Sequence, residues 1–154
     1  MAEEMSLRAY ACIISFLESK GWNFKRDDEK LRITTGFRTD DHDIDFIMYV
    51  DEDRKLVCFR SVLPGLFPED KRIEGAVATC IANLGMFDGF FEYDLSDGEV
   101  VFKVSDSFRD GDMTVDVIEY MFRMCYAFVD RYNDRFFDLA RGRMTLQEFK
   151  DLEG

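Results

Sequence analysis

The residues able to do chemistry are few in kind and scattered in position. The one histidine, His42, lies in Asp40-Asp41-His42-Asp43, a cluster that could in principle hold a metal or pass a proton. Adjacent residues of a polar connection point in different directions, and no second histidine or cysteine stands nearby to complete a tetrahedral site. The stretch reads as a link between strands. Asp106, Asp110 and Gly111 have part of the spacing of a calcium loop, which takes ligands at its first, third and fifth positions, glycine at the sixth and an acid at the twelfth. Phe108 occupies the third position and Val117 the twelfth, so that match fails. Ser15, Ser61 and Ser107 have no nucleophile-elbow context, and no glycine-rich phosphate loop is present. No spacing selects a catalytic pair from the 32 acidic residues. The expectation is a non-catalytic protein with no metal or cofactor.

Cys12, Cys58, Cys80 and Cys125 each fall on or beside an apolar stripe, without a C-x-x-C pair. They read as buried free thiols in a reducing compartment. The opening Met-Ala-Glu-Glu-Met is acidic where a signal peptide needs a basic flank, and no apolar run approaches the ~20 residues that span a bilayer. A cytoplasmic location is expected. A net charge of −12 argues against nucleic acid and against anionic membrane surfaces, since both need clustered Lys and Arg.

The elements that would carry any site follow from periodicity. The 154 residues, 47% of them hydrophobic and 16 of them Phe, suffice for one domain, with a core over about 4 to 140. Residues 4 to 20 make an amphipathic helix with Met5, Ala9, Cys12, Ile13, Phe16 and Leu17 on its buried face, stopped by Gly21. Trp22 to Arg26 and Leu31 to Phe37 read as a hairpin around Asp27-Asp28-Glu29. Ile44 to Val50 alternates cleanly, Asp51-Glu52-Asp53 turns the chain, and Leu56 to Leu63 is apolar on both faces in places, which predicts a central antiparallel strand. Pro68, followed by Glu69 and Asp70, opens a second helix predicted to pack on the sheet through Ile73, Val77, Cys80, Ile81 and Leu84, and Gly85 closes it. Phe90 to Asp94 and Glu99 to Ser105 flank Ser96-Asp97-Gly98, a short hairpin signal. A short helix over 144 to 152 follows Gly142, with Thr145 and Glu148 at capping-box spacing. The order α-ββββ-α-ββ-α indicates an α+β fold with an antiparallel sheet covered by helices.

The long helical pattern from Asp112 to about Ala140 carries more apolar surface than one sheet can cover. Met113, Val117, Met121, Met124 and Phe128 share one face, and Val115, Ile118, Phe122, Cys125 and Val129 form a second stripe about 120° away. The excess predicts a partner. Met113, Val117, Tyr120, Met121, Met124 and Phe128 are the candidate interface, with a two-fold homodimer or a client protein as its occupant. Trp22, Phe24, Phe90 and Phe91 could line a ligand pocket, though aromatics at strand starts usually belong to a core.

Gly21-Trp22 followed by Phe24, Asn83 at the end of the second helix, and Gly89-Phe90-Phe91-Glu92-Tyr93 leading through Asp97-Gly98 into Val100-Val101-Phe102 resemble the YbjN-type family of sensory-transduction regulators. The resemblance spans about residues 5 to 140. It implies a fold similar to the class I chaperones of type III secretion, which are small, acidic, usually dimeric proteins that bind extended effector segments. It carries no catalytic residue. The longer final helix and the Arg141 to Gly154 tail depart from that pattern. The reading is therefore a protein-binding module, chaperone-like or regulatory, that works through an apolar groove or helix surface. The alternative is a small-molecule sensor with a cavity between sheet and long helix.

Overall fold

A computed structural model describes residues 2 to 38 and 42 to 153. Helix α1 (Ala2–Lys20) precedes strands β1 (Lys25–Asp27), β2 (Arg32–Arg38), β3 (Asp43–Asp51) and β4 (Leu56–Val62). After one 3₁₀ turn come α2 (Arg72–Asn83), β5 (Gly89–Asp94), β6 (Glu99–Ser107), the long α3 (Val115–Ala140) and the short α4 (Leu146–Asp151). The six strands form one antiparallel sheet in the order β1-β2-β3-β4-β6-β5. This is the expected α+β architecture. As its doubly apolar sequence requires, β4 is central, and Val57, Cys58 and Phe59 are all buried.

The first helix ends as Gly21 predicts. Gly21 takes φ +69°, its N–H donates to the Glu18 carbonyl at 3.0 Å, and the Trp22 N–H donates to Leu17 at 3.3 Å, which together satisfy the last free carbonyls. That exit drops Trp22 onto the core instead of into a strand, with its ring edge-on to Phe37 at 4.9 Å and to Phe16 at 5.7 Å. The strand expected over Trp22 to Arg26 is thus shortened to Lys25–Asp27.

Three of the hairpins, β1–β2, β3–β4 and β5–β6, share one device, an Asp at the last position of the incoming strand and a left-handed residue four positions on. Asp27 and Asp51 each accept the N–H of the third residue after them, from Lys30 at 3.2 Å and Arg54 at 2.9 Å. In the third hairpin the Asp94 carbonyl takes the Gly98 N–H at 2.7 Å. The left-handed residues are Leu31 (φ 46°), Lys55 (φ 55°) and Gly98 (φ 79°).

The helices lie on one face of the sheet. Helix α1 packs against β3 and α3, and α3 crosses β4 and β6. The buried stripe of α3 runs Ile118, Met121, Phe122, Cys125, Val129, Tyr132, Phe136 and Leu139, and Thr114 caps it by accepting the Val117 N–H. The space between sheet and helix is filled by rings: Phe122 sits 5.5 Å from Phe46, and Phe128 stacks on Phe102 at 5.2 Å. Helix α4 has the predicted capping box between Thr145 and Glu148, and it delivers the fully buried Phe149 against Phe136 at 5.2 Å. Arg135 holds Glu153 at 2.7 Å, so the tail is tied to the long helix. No helix among the described residues is long and apolar enough to cross a membrane.

Candidate protein-binding surface

Helix α2 is turned the opposite way from the one its large side chains predict. Gly75, Ala78, Thr79 and Ala82 form its buried face. Ile73 is 70% exposed, Leu84 is 88% exposed, and Val77 and Cys80 are also exposed. Only Ile81 of the predicted stripe is partly buried against the core. The reason is close approach. A side chain at Gly75 would come within 2.8 Å of the Phe67 ring and 2.6 Å of the Tyr93 hydroxyl, so α2 lies too near its neighbours for large residues on that side. The Tyr93 hydroxyl fixes the helix start by donating to the Arg72 carbonyl at 2.8 Å. The helix docks on the edge strand β5, on α3 and on α4.

The consequence is an apolar stripe of Ile73, Val77, Cys80 and Leu84 facing outward at helical spacing. It continues through the α2–β5 corner, where Gly85 takes φ +86° and Phe87 is 98% exposed. The Tyr120 hydroxyl of α3 ties this corner down by donating to Asp88 at 2.5 Å. Leu84, Met86 and Phe87 then form, with Met124 and Phe128 of α3, an open groove of about 340 Å³. Burying one Leu or Phe from water is worth roughly 1.5–3 kcal/mol, so leaving several of them exposed in one patch is a substantial unsatisfied driving force.

Of the six interface candidates on the long helix, the fold brings Tyr120, Met124 and Phe128 to this surface. Met113 (7% exposed) and Met121 (1%) belong instead to the core, and Val117 is half-buried against it. The outward stripe of α2 was missed because a large apolar residue at helical spacing reads as buried. The small residues at the same spacing on the other face were the available signal.

The two sheet edges differ. The edge of β5 is flanked by α2, whereas β1 covers only Arg32, Ile33 and Thr34 of β2. Beside the uncovered part of β2 lies a second open groove, about 290 Å³, between Phe24, Thr35, Gly36 and Asp45.

The remaining candidates resolve individually. His42 packs on Phe137 at 4.7 Å, with its Nε2 3.3 Å from Asp134; Asp40 and Asp41 lie outside the described residues. Phe91 is buried and Phe90 exposed, so those two aromatics do not share a pocket. Cys58 and Cys125 are buried, and burial pushes both thiols up from their ordinary pKa. Cys80 is exposed, contrary to expectation. Among the described residues no three His, Cys, Asp or Glu side chains converge as a metal site.

No protein family and no curated protein matches the sequence. Solved structures do match in fold. A chain of the ExsC-ExsE complex is similar with a TM-score of 0.60 at 13% identity, covering 84% of this chain and 93% of that one. A chain of the HopA1-SchA chaperone-effector complex is similar with a TM-score of 0.54 at 14% identity, covering 84% and 95%. YbjN from E. coli is similar with a TM-score of 0.57 at 12% identity, covering 80% and 89%. The chain thus has the fold shared by YbjN and the type III secretion chaperones.

Proposed function

We propose that this chain is a non-catalytic, chaperone-like binding module that pairs with a second copy of itself and holds an extended segment of a client protein. The observation that carries the reading is the outward apolar stripe of Ile73, Val77 and Leu84, which continues through Phe87 to a groove shared with Met124 and Phe128 and rimmed by Asp88, Arg131 and Glu153. Two α2 helices crossing about a two-fold axis would cover each other's stripe. Such an interface needs ~800 Å² per partner, and two-fold dimers are the commonest soluble assembly. The client would add along the uncovered edge of β2, where backbone hydrogen bonds give affinity and the groove at Phe24 and Gly36 takes a side chain. The chaperone-effector complex among the structures of this fold supports the binding of a protein partner. The aromatic filling between sheet and long helix leaves no support for a sensor cavity there.

Light scattering over a dilution series tests the pairing. The wild-type chain is expected to be dimeric, and Val77→Asp and Leu84→Asp monomeric with unchanged circular dichroism, because both side chains are exposed in the single chain. A wild-type monomer at every concentration would refute the pairing. Client binding is tested separately, by titrating monomeric Leu84→Asp with extended apolar peptides. Binding that leaves the amide signals of Thr35 to Arg38 unmoved would refute the β2 edge.

A further inference from the structure

On the face of the sheet turned away from the helices, where Asp43, Asp45, Asp51, Glu92, Asp94 and Glu99 also lie, three cations are gathered at one cleft in a chain whose net charge is −12. Arg32 on β2 stands directly across from Tyr49 on β3. Arg60 on β4 stands across from Ile47, two residues along the same face. With Lys30 from the β1–β2 turn, these residues line an open cleft of about 230 Å³. Among the described residues neither arginine has an acidic partner within ion-pair distance. The neighbouring carboxylates are already engaged: Asp51 by Arg54 at 2.9 Å and Glu92 by Lys103 at 3.2 Å. Asp27, which stands across from Arg32 on β1, accepts the Lys30 N–H at 3.2 Å and lies 3.7 Å from the Lys30 ammonium.

An anion seated in the cleft would meet Lys30, Arg32 and Arg60 together. In a chain with 32 acidic residues and 20 basic ones, leaving both unpaired is the unexpected arrangement. The charge of the whole molecule does not forbid an anion here, because charges beyond ~8 Å are largely screened at physiological salt and the local sign governs. The planar fork of Arg matches a carboxylate with two parallel hydrogen bonds. The cleft is shallow and below the ~300 Å³ at which small-molecule pockets begin, so it suits a side chain projecting from an extended strand more than an enclosed metabolite.

We propose that this cleft binds an acidic segment of a partner protein, seating one Asp or Glu carboxylate between Arg32 and Arg60 above Tyr49. The site is independent of the apolar surface of α2 and of the β2 edge. Fluorescence anisotropy of fluorescein-labelled hexaglutamate against the full chain tests it. Saturable binding is expected that weakens with salt and falls about tenfold in Arg32→Gln/Arg60→Gln, with hexalysine inert and Lys25→Gln unaffected. The charge-keeping Arg32→Lys/Arg60→Lys, checked for folding alongside, should lose about threefold because it removes the fork while keeping the charge. Absence of saturable binding at low salt, or binding unchanged in both double variants, would overturn the proposal. Free glutarate displacing the probe as effectively as unlabelled hexaglutamate would overturn the peptide occupant and leave a small-anion site.

Discussion

The side-chain amide of Asn83 is paired with both backbone polar groups of Phe91, donating to its carbonyl at 2.9 Å and accepting its N–H at 2.7 Å. One residue at the end of α2 thus occupies the edge of β5 at Phe91 as a neighbouring strand would, which hinders pairing of another chain there. Replacing it with Ala strands a donor and an acceptor beside the core, a loss of about 1–3 kcal/mol. Denaturant unfolding of Asn83→Ala should show the lower midpoint, and turbidity on warming should rise earlier than in wild type. A variant as stable and soluble as wild type would show that water replaces the amide without penalty.

Lys55 and Leu31 both hold a left-handed backbone, but only one of them needs its side chain. Lys55 is half-exposed and Leu31 is buried in the core. A left-handed non-glycine residue costs roughly 1–2 kcal/mol, offset in part by the entropy glycine loses on folding. Lys55→Gly should therefore raise stability by up to ~1 kcal/mol, whereas Leu31→Gly should lower it by ~2 kcal/mol or more through the vacated core space. Equal effects at the two sites in chemical denaturation would contradict this account.

The four cysteines should separate by reactivity. Cys80, outward on α2, is expected to react with a thiol reagent at once in monomeric Leu84→Asp and slowly in the paired wild type, Cys12 at an intermediate rate, and Cys58 and Cys125 only on unfolding. Labelling followed by peptide mass analysis distinguishes them. If Cys80 is slow in dilute solution and Leu84→Asp makes it fast, the pairing of α2 helices accounts for the protection.

Alkaline unfolding should expose the buried phenols. Burial pushes Tyr49 and Tyr132 up to about 12, and for Tyr132 the hydrogen bond to Glu153 adds to the effect. Unfolded tyrosine titrates near ~10, so the native state favours the neutral form. That contribution is complete below the unfolded value and is lost as pH rises through the folded one. Stability measured by denaturant should decline between pH ~10 and ~12, less steeply in Tyr132→Phe. At the acid end the sign reverses. The Arg54 backbone and side chain hold Asp51 below the usual carboxylate range, so its contribution is lost as pH falls through that lowered value.

The order of elements was legible because turns and periodicity are local properties. Asp27-Asp28-Glu29, Asp51-Glu52-Asp53 and Asp97-Gly98 announce their hairpins, and Gly21 and Thr145 mark helix ends, all within a few residues. The face of α2 was not legible, because hydrophobicity ranks Ile73 and Leu84 above Gly75 and Ala78, while Phe67 and Tyr93 impose a distance that admits only small side chains. Met113 and Met121 illustrate the converse. Their stripe was wide enough for a partner, but the core takes up the part that includes them and leaves Tyr120, Met124 and Phe128. The cation cleft depends on the registers of β2, β3 and β4, which bring Arg32 and Arg60 together from 28 positions apart.

The joint between β4 and β6 has a consequence in time. Every other neighbouring pair in the sheet joins consecutive strands, whereas Val57 meets Asp106 and Val62 meets Val101 only after α2 and β5 have intervened. Closing so long a loop precedes any reward from the contacts it makes, and non-local pairings of this kind slow folding. The first four strands can zip along their own turns. The β5–β6 hairpin must then find them, carrying α2 with it through Asn83, so the encounter of these two pieces sets the pace at which the fold is completed.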